Sequence, residues 1–455
     1  MRVVVTGGSG QLGTVLVRRL LLDRAIEKVV VLDVRPPIVA SRKVEFLRAD
    51  VRDPGIARHL EGAAAVFHLA FLVTQAAEPG VFEAVNVEGS KNVLRAAAAA
   101  GASSVVYASS IAAHGVVPGH PVPIVEGTPR RRQAELPYAA AKFDVEAFLD
   151  ELEPSHPEVA FCRLRPVILA GRRMEHSLGS ALRAGLVPDL GDPSVPMVWD
   201  EDVAQAAVLA MKQRARGAFL LAADDPLPAA EIAAAAGLRR VPVPRGALRR
   251  GVGLARRLGL GMREDPAWLE LEPMDLRVSS RRAREELGWK PRHPTGRDVA
   301  RALGAAAHGR PDPRIAVFLR LSALGFEDAA AERPEAKRLS GTIHLELLRP
   351  GGGDHTLVLG GGRLSVAAGA PRPPASVLTL AASTFTDLLA GRASMSTVRL
   401  TGKVRLEGEP IAMVVLSALV TGFREQARSP ELRALPARLL GRWLGDPGAG
   451  ARGSS

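Results

Sequence analysis

Thr6-Gly7-Gly8-Ser9-Gly10-Gln11-Leu12-Gly13 follows the apolar run Val3-Val4-Val5 and precedes a segment in which Leu12, Val15, Leu16 and Leu20 recur on one helical face. The order is strand, glycine turn, helix. The three glycines at 7, 10 and 13 have separate physical jobs. One permits the tight turn, one lets the backbone approach a pyrophosphate, and one lets the helix pack on the strand. The free N–H groups at the helix start then face the anion.

Outward from this turn, apolar runs recur at 29–33, 44–47, 64–69, 104–108 and 160–165, with helical spacing at 88–100 and 138–151 between them. Strands that are apolar on both faces and alternate with helices predict an α/β fold, a doubly wound parallel sheet of the Rossmann type. Shorter helices are expected at 279–287 and 296–307, before the Pro/Gly-rich His308-Gly309-Arg310-Pro311-Asp312-Pro313. The texture then changes. Ile343, Leu345 and Leu347 alternate with polar residues, and short strands are expected at 356–359, 364–367, 377–380, 398–400 and 403–406. Helices are expected at 314–324, 384–390 and 410–423. The reading is a nucleotide-binding domain over 1–310, with its substrate part mainly 167–290, a linker and helix at 311–337, a small α+β domain at 338–430, and a tail at 431–455.

Composition bounds the function. The 455 residues suit two or three domains. With 47% hydrophobic and 24% charged residues, the chain is neither disordered, collagen-like nor a disulfide scaffold. The formal charge is +12, carried by 52 Arg against eight Lys, but only 4% of residues are aromatic, which leaves few platforms for stacking bases. No nucleic-acid partner is expected. Cys162 is the single cysteine, so no intrachain disulfide and no cysteine zinc site can form, and no metal is expected. The first residues read as an apolar strand, and no secretory signal is expected. The apolar runs 63–77 and 411–423 fall short of the ~20 residues that a spanning helix needs. The expected location is cytoplasmic, with possible contact at a membrane surface.

Asp33 closes the second strand twenty residues after Gly13. A carboxylate there accepts from a ribose 2′-OH and repels a 2′-phosphate, which favours NAD over NADP. Arg35 argues the other way, since an arginine nearby can hold that phosphate. Asp50-Val51 closes the third strand, where a carboxylate could receive the adenine amino group.

Tyr138-Ala139-Ala140-Ala141-Lys142 places a phenol and an ammonium on one helical face. A nearby ammonium stabilises phenolate, so the expectation is a tyrosine with a lowered pKa that exchanges a proton with a hydroxyl while hydride moves. A lysine is informative in a chain that uses arginine for nearly every other cation. Ser109-Ser110 follows the fifth strand, where a hydroxyl can polarise a carbonyl. Asn86 opens the helix before that strand, and its plainest reading is an N-cap.

With these pieces in order, residues 1–310 resemble the extended short-chain dehydrogenase/reductases, the NAD-dependent epimerase/dehydratase group. Further matching segments are His68-Leu69-Ala70, Asn86-Val87-Glu88-Gly89, Leu164-Arg165-Pro166, Asp200-Glu201-Asp202-Val203-Ala204 and Glu286-Leu287-Gly288-Trp289-Lys290-Pro291. The resemblance implies Tyr138 as acid/base, Lys142 as its partner and ribose ligand, and Ser110, five residues before Gly115, as the assisting hydroxyl. Asn86 joins that catalytic set. It also implies cofactor contacts at Gly7, Gly10, Gln11, Leu12, Gly13, Asp33, Arg35, Asp50, Val51, His68, Leu69, Ala70, Ser109 and Pro166, and a homodimer packed through 88–100 and 139–151. The chain departs from sugar-nucleotide epimerases after the sixth strand. It reads Cys162-Arg163-Leu164-Arg165-Pro166-Val167-Ile168-Leu169 where they carry Tyr-Phe-Asn, and this looks more like the 3β-hydroxysteroid dehydrogenase-like branch. His114 stands where that group often has tyrosine.

Residues 338–423 resemble the SCP2 sterol- and lipid-binding fold through Arg338-Leu339-Ser340-Gly341-Thr342-Ile343, Phe385-Thr386-Asp387-Leu388-Leu389-Ala390-Gly391-Arg392 and the segment 398–410. A sheet with one apolar face under short helices can hold a lipid by burying apolar area, at ~25 cal/mol per Å². His344 and His355 read as ordinary strand residues. Residues 232–263 hold eight Arg and no acid, either a basic segment for anionic lipid or a solvated flap over the cleft. The expectation is an NAD-dependent oxidoreductase on a sterol, steroid or lipid alcohol. The alternatives are a sugar-nucleotide epimerase or dehydratase, and a nucleotide-sensing lipid-binding protein without turnover.

Overall fold

Val3, Val5, Val29, Val31, Phe67 and Val106 enter one hydrophobic core, while the intervening Val4, Val30, Val66, Val105 and Tyr107 enter a second. Alternate side chains of each strand therefore bury on opposite faces, which is why the runs are continuously apolar. The structure is a computed structural model, and it describes residues 1–39, 41–73, 80–115, 119–174, 179–244 except 180, 183 and 192, 246, 275–307, 315–326 except 316, 324 and 325, 340–348, 352–368 and 376–428. The chain divides into two compact units, Met1–Ala305 and Ala306–Ser455.

The strands of the first unit are β1 (Arg2–Thr6), β2 (Lys28–Asp33), β3 (Val44–Arg48), β4 (Ala65–His68), β5 (Ser104–Ala108), β6 (Ala160–Pro166), β7 (Ile168–Ala170), β8 (Leu186–Asp189), β9 (Met197–Trp199), β10 (Gly217–Leu221) and β11 (Arg239–Pro242). Seven of them form one parallel sheet in the order β3-β2-β1-β4-β5-β6-β10. Helices α1 (Gln11–Leu21), α2 (Gly89–Ala99), α3 (Pro137–Leu152) and α4 (Asp200–Gln213) cover it. Helices α1 and α4 contribute Leu16, Leu20, Val203 and Ala207 to the first core, and α2 and α3 contribute Val93, Leu94, Val145 and Leu149 to the second. The pairs β7–β9 and β8–β11 lie outside the main sheet. The unit goes on through α5 (Ala229–Ala236) and α6 (Arg281–Glu286) to α7 (Gly296–Ala306).

In the second unit, β12 (Gly341–Leu348), β13 (Gly353–Gly360), β14 (Arg363–Ala368), β15 (Ser376–Ala381) and β16 (Val404–Glu407) form a mixed sheet ordered β14-β13-β12-β15-β16. Ile343, Leu345, Leu347, Leu357, Leu359, Leu378 and Leu380 line one face. That face packs with Phe385, Leu388 and Leu389 of α8 (Ala382–Ala390) and with Ala412, Val415, Leu416, Leu419, Val420 and Phe423 of α10 (Ile411–Arg428). The spacing along α10 is that of a helix with a single apolar stripe, and each buried leucine stabilises by about 1.5–3 kcal/mol. His344 and His355 do lie in strands, and His344 Nε2 pairs with Asp354 Oδ1 at 2.7 Å.

One expectation is corrected here. Val398–Leu400 is not a strand but the end of α9 (Met395–Leu400). Ser394 caps that helix by accepting from the Thr397 N–H at 3.0 Å, and the cap outweighs the strand preference of Val398. The basic stretch 232–263 begins in α5 and in the mostly exposed β11, and its residues 245 and 247–263 lie outside the described ones. The tail 431–455 and most of the linker 311–337 lie outside them as well. Among the described residues no helix is long and apolar enough to cross a membrane, and no His/Cys/Asp/Glu group is arranged for a metal.

Candidate active site

The chain leaves neighbouring strands β1 and β4 in opposite directions, so a crevice opens at their carboxyl ends. The glycine turn lies there. Gly7 has φ +70°, and a Cβ on it would stand 2.5 Å from the Ala70 nitrogen, so the Leu69-Ala70 backbone lies directly against the turn. The Leu69 N–H donates to the Thr6 carbonyl at 3.1 Å, which holds that approach. A Cβ on Gly13 would stand 2.2 Å from the Gly7 oxygen, so only glycine lets α1 start this close to the turn. Gly10 caps α1 without a side chain, which leaves the first N–H groups for an anion. Leu12 packs against the first core.

Asp33 ties the turn to β2. Its Oδ2 accepts from the Ser9 N–H and its Oδ1 from the Arg35 N–H, both at 3.0 Å. Each carboxylate oxygen keeps a second acceptor site. The Ser9 hydroxyl donates to the Arg35 carbonyl at 2.6 Å, so the Arg35 backbone is fixed while its side chain stays exposed. Asp50 is gripped by the Arg52 guanidinium at 2.6 Å, which holds its carboxyl below the usual range. Val51 is buried, and Asn92, which the sequence reading missed, donates to the Val51 and Asp53 carbonyls at 2.8 Å each. A cradle that admits only backbone, with a carboxylate at the end of β2, fits NAD.

Tyr138 and Lys142 sit one turn apart near the start of α3. The Tyr138 phenol is buried, and the nearby Ser110 favours its ionised form. Its ring meets Phe71 edge-on at 5.5 Å. Lys142 is buried, and its Nζ donates to the Ala108 carbonyl at 2.6 Å. That Nζ lies 3.4 Å from the centre of the Phe71 ring and 5.7 Å from that of Tyr138. The electrostatics differ from expectation. Burial pushes the Tyr138 phenol up to about 12, and the interaction that lowers it comes from Ser110 rather than from the lysine. Burial also pushes the Lys142 ammonium well below the ordinary lysine range, with Glu146 opposing. Ser110 further accepts from the Ala112 N–H at 3.2 Å, so its oxygen has a fixed place at the end of β5. Pro166 is the buried last residue of β6 on the same edge.

Three side chains that the sequence reading gave to the cofactor or to catalysis are engaged by the protein itself. His68 is fully buried, with Nδ1 2.7 Å from the Thr6 hydroxyl and Nε2 2.8 Å from the Ser90 hydroxyl. Ser90 donates to the Asn86 carbonyl at 2.6 Å, so it accepts from Nε2–H, and Thr6 donates to Nδ1. The ring is neutral, its pKa lowered to about 3 by burial and then by Lys142. Asn86 is no N-cap. It lies in a π-helical turn, Ala84–Glu88, and its amide clamps Leu72 by accepting from its N–H at 2.7 Å and donating to its carbonyl at 2.9 Å. It thus holds the segment that carries Phe71. Ser109 donates to Glu146 Oε1 at 2.5 Å.

Asp200, which the sequence reading gave only as part of a matching segment, stands at the start of α4. It is buried and accepts from Gln11 Nε2 at 3.1 Å, so Gln11 reaches it from the first turn of α1. Burial raises its pKa to about 7, with Gln11 and Arg18 opposing and Glu201 adding. A carboxyl raised in the folded state contributes stability that is whole below its unfolded pKa of about 3.9 and is lost as pH rises through about 7. Asp200→Asn is therefore expected to match wild type near pH ~4 and to exceed it by roughly 1–4 kcal/mol above pH ~7 in urea unfolding. Equal differences at both pH values would contradict that assignment.

This fold and turn define a dinucleotide-binding type of domain, and the comparisons show what it is similar to. Residues 3–221 match the NAD dependent epimerase/dehydratase family and residues 320–421 the SCP-2 sterol transfer family. The chain thus carries an N-terminal segment similar to the first family followed by a C-terminal segment similar to the second. It is 27% identical over 253 residues to an uncharacterized protein of Mycobacterium tuberculosis, covering 53% of this chain and 67% of that one. It is 29% identical over 260 residues to the 2-alkyl-3-oxoalkanoate reductase of Stenotrophomonas maltophilia, covering 53% of this chain and 77% of the reductase. Among solved structures, a UDP-glucose 4-epimerase of Thermotoga maritima superposes with TM-score 0.52 at 20% identity, over 67% of this chain and 97% of that one. That likeness concerns the fold.

Proposed function

We propose that the chain is an NAD-dependent oxidoreductase for an apolar hydroxy or oxo compound, with Tyr138 as proton donor and acceptor, Ser110 as its hydroxyl partner and Lys142 as the adjacent ammonium. The observation that carries this reading is the placement of Tyr138 and Lys142 one turn apart on α3, with Ser110 fixed at the end of β5, at the carboxyl edge of the sheet beside the glycine turn. A phenol with a pKa pushed up to about 12 is protonated at neutral pH, which equips it to protonate an oxo oxygen. NAD, held by the glycine turn, the α1 N-terminus and Asp33, supplies the hydride chemistry when bound. Phe71, packed against Tyr138 and Lys142, makes this edge apolar.

Three observations support an apolar substrate, a sterol, steroid or other lipid alcohol or ketone. The SCP-2 domain builds its main core from leucine and phenylalanine. The stretch after β6 lacks the asparagine of sugar-nucleotide enzymes and presents a partly exposed Ile168. The Stenotrophomonas relative is named for a branched oxo acid. The SCP-2 domain then binds or delivers the lipid. A sugar-nucleotide epimerase is the second reading, favoured by 31% identity over 180 residues to a UDP-glucose 4-epimerase of Neisseria meningitidis, covering 36% of this chain and 52% of that enzyme.

The test is NADH oxidation by the full chain with a 2-alkyl-3-oxoalkanoate or a 3-oxosteroid, run beside UDP-glucose. Consumption of one NADH per oxo group supports the reading. Inversion of the sugar without net NADH change sinks it. The proposal includes a cytoplasmic homodimer formed through α2 and α3, whose Ala96, Phe148 and Leu152 remain only partly buried, and sedimentation velocity reads it directly.

A further inference from the structure

Glu146 is two turns beyond Tyr138 and one beyond Lys142 on α3, and its side chain is wholly buried. It is held from three other directions. Arg165 of β6 reaches it with Nε at 2.9 Å and an Nη at 2.5 Å, Arg130 reaches it at 2.9 Å, and Ser109, beside Ser110, donates at 2.5 Å. Arg165 also donates to Nε2 of His114, which burial and Arg165 keep neutral. One carboxylate therefore joins the reactive helix to the end of β5 and to β6.

We propose that Glu146 is a positioning residue for the Tyr138–Lys142 pair: through Ser109 it fixes where Ser110 stands, and its charge is the counter-charge of the buried Lys142 ammonium. A helix could place Tyr138 and Lys142 by spacing alone, but not the serine on a different element. The short bond from Ser109 sets that register, and Arg165 keeps the carboxylate ionised where burial alone would protonate it. Lys142 faces Tyr138 and Glu146 on α3, Tyr107 on β5, the neutral His68 on β4, and Phe71. Among these groups Glu146 is the one that carries negative charge at neutral pH. It is thus the group whose loss frees the lysine to become an amine.

The inference rests on the proposed roles of Tyr138 and Lys142, but its test needs no turnover. With eight lysines in the chain, ¹³Cε-lysine NMR follows Lys142 by pH titration, and Lys142→Arg assigns its signal. Glu146→Gln keeps the shape and removes the charge. The Lys142 titration is expected to move down by about 1 unit or more, while the other lysines do not move. Glu146→Asp, which retains the charge, is expected to restore most of it. An unmoved Lys142 titration in folded Glu146→Gln overturns the proposal. If that variant does not fold, Glu146→Gln/Arg165→Gln, which leaves neither member of the pair charged, carries the same expectation and the same refutation. Absence of turnover in wild type would instead overturn the enzymatic reading and leave this titration readable.

Discussion

Tyr138→Phe is expected to lower turnover by about 10²–10⁴-fold, the range that a positioned proton donor supplies, with NAD still bound. The phenyl ring keeps the edge contact with Phe71 and its place on the first turn of α3, so packing changes little. What is lost is one hydroxyl and its interaction with Ser110. The loss should appear in kcat with KM nearly unchanged, because the proton moves in the transition state rather than on binding. Fluorescence titration with NADH and steady-state rates check the two halves separately. A variant that still turns over normally would remove Tyr138 from the chemistry.

Gly13→Ala is expected to abolish NAD binding and to destabilise the first unit by about 1–3 kcal/mol or more. The added methyl would stand 2.2 Å from the Gly7 oxygen and 2.6 Å from the Gly8 Cα, both backbone atoms that no rotamer change can move. Either α1 shifts away from the turn, which spoils the anion site, or the strand end distorts. Gly10→Ala makes the contrast, since its methyl meets only the Gly7 oxygen at 3.4 Å. That variant should fold as wild type does. Calorimetric titration with NAD and thermal unfolding of both variants give the comparison, and equal behaviour at the two positions would contradict the described cradle.

Much of the first unit was legible because a strand buried on two faces and a helix buried on one leave different spacings. Val3-Val4-Val5 and the face of Leu16 and Leu20 could hardly belong to other elements. The alternation of Ile343, Leu345 and Leu347 marked β12 in the same way. Val398 misled because a β-branched residue near the end of a short capped helix looks locally like strand. The site was legible only along single elements. Tyr138 and Lys142 share a helix, so their spacing exposes the pair. His68, Asn86 and Ser109 stand out by their place along the chain, yet their hydrogen bonds run to Thr6, Ser90, Leu72 and Glu146 on other segments. Spacing along one chain segment does not carry that information. Glu146 was findable as the next residue in the 138, 142 series. Asp200 was visible as part of a matching segment, but its partner Gln11 lies 189 residues away.

Continuous recording of nicotinamide absorbance tests the central claim most directly, using the purified full chain, NAD and long-chain secondary alcohols or 3β-hydroxysteroids. The account predicts that NADH accumulates and is released in step with ketone formation in wild type, and that Tyr138→Phe shows none while still binding NAD. Nucleotide that stays oxidised with every apolar alcohol, while a sugar nucleotide is inverted in the same preparation, would contradict it.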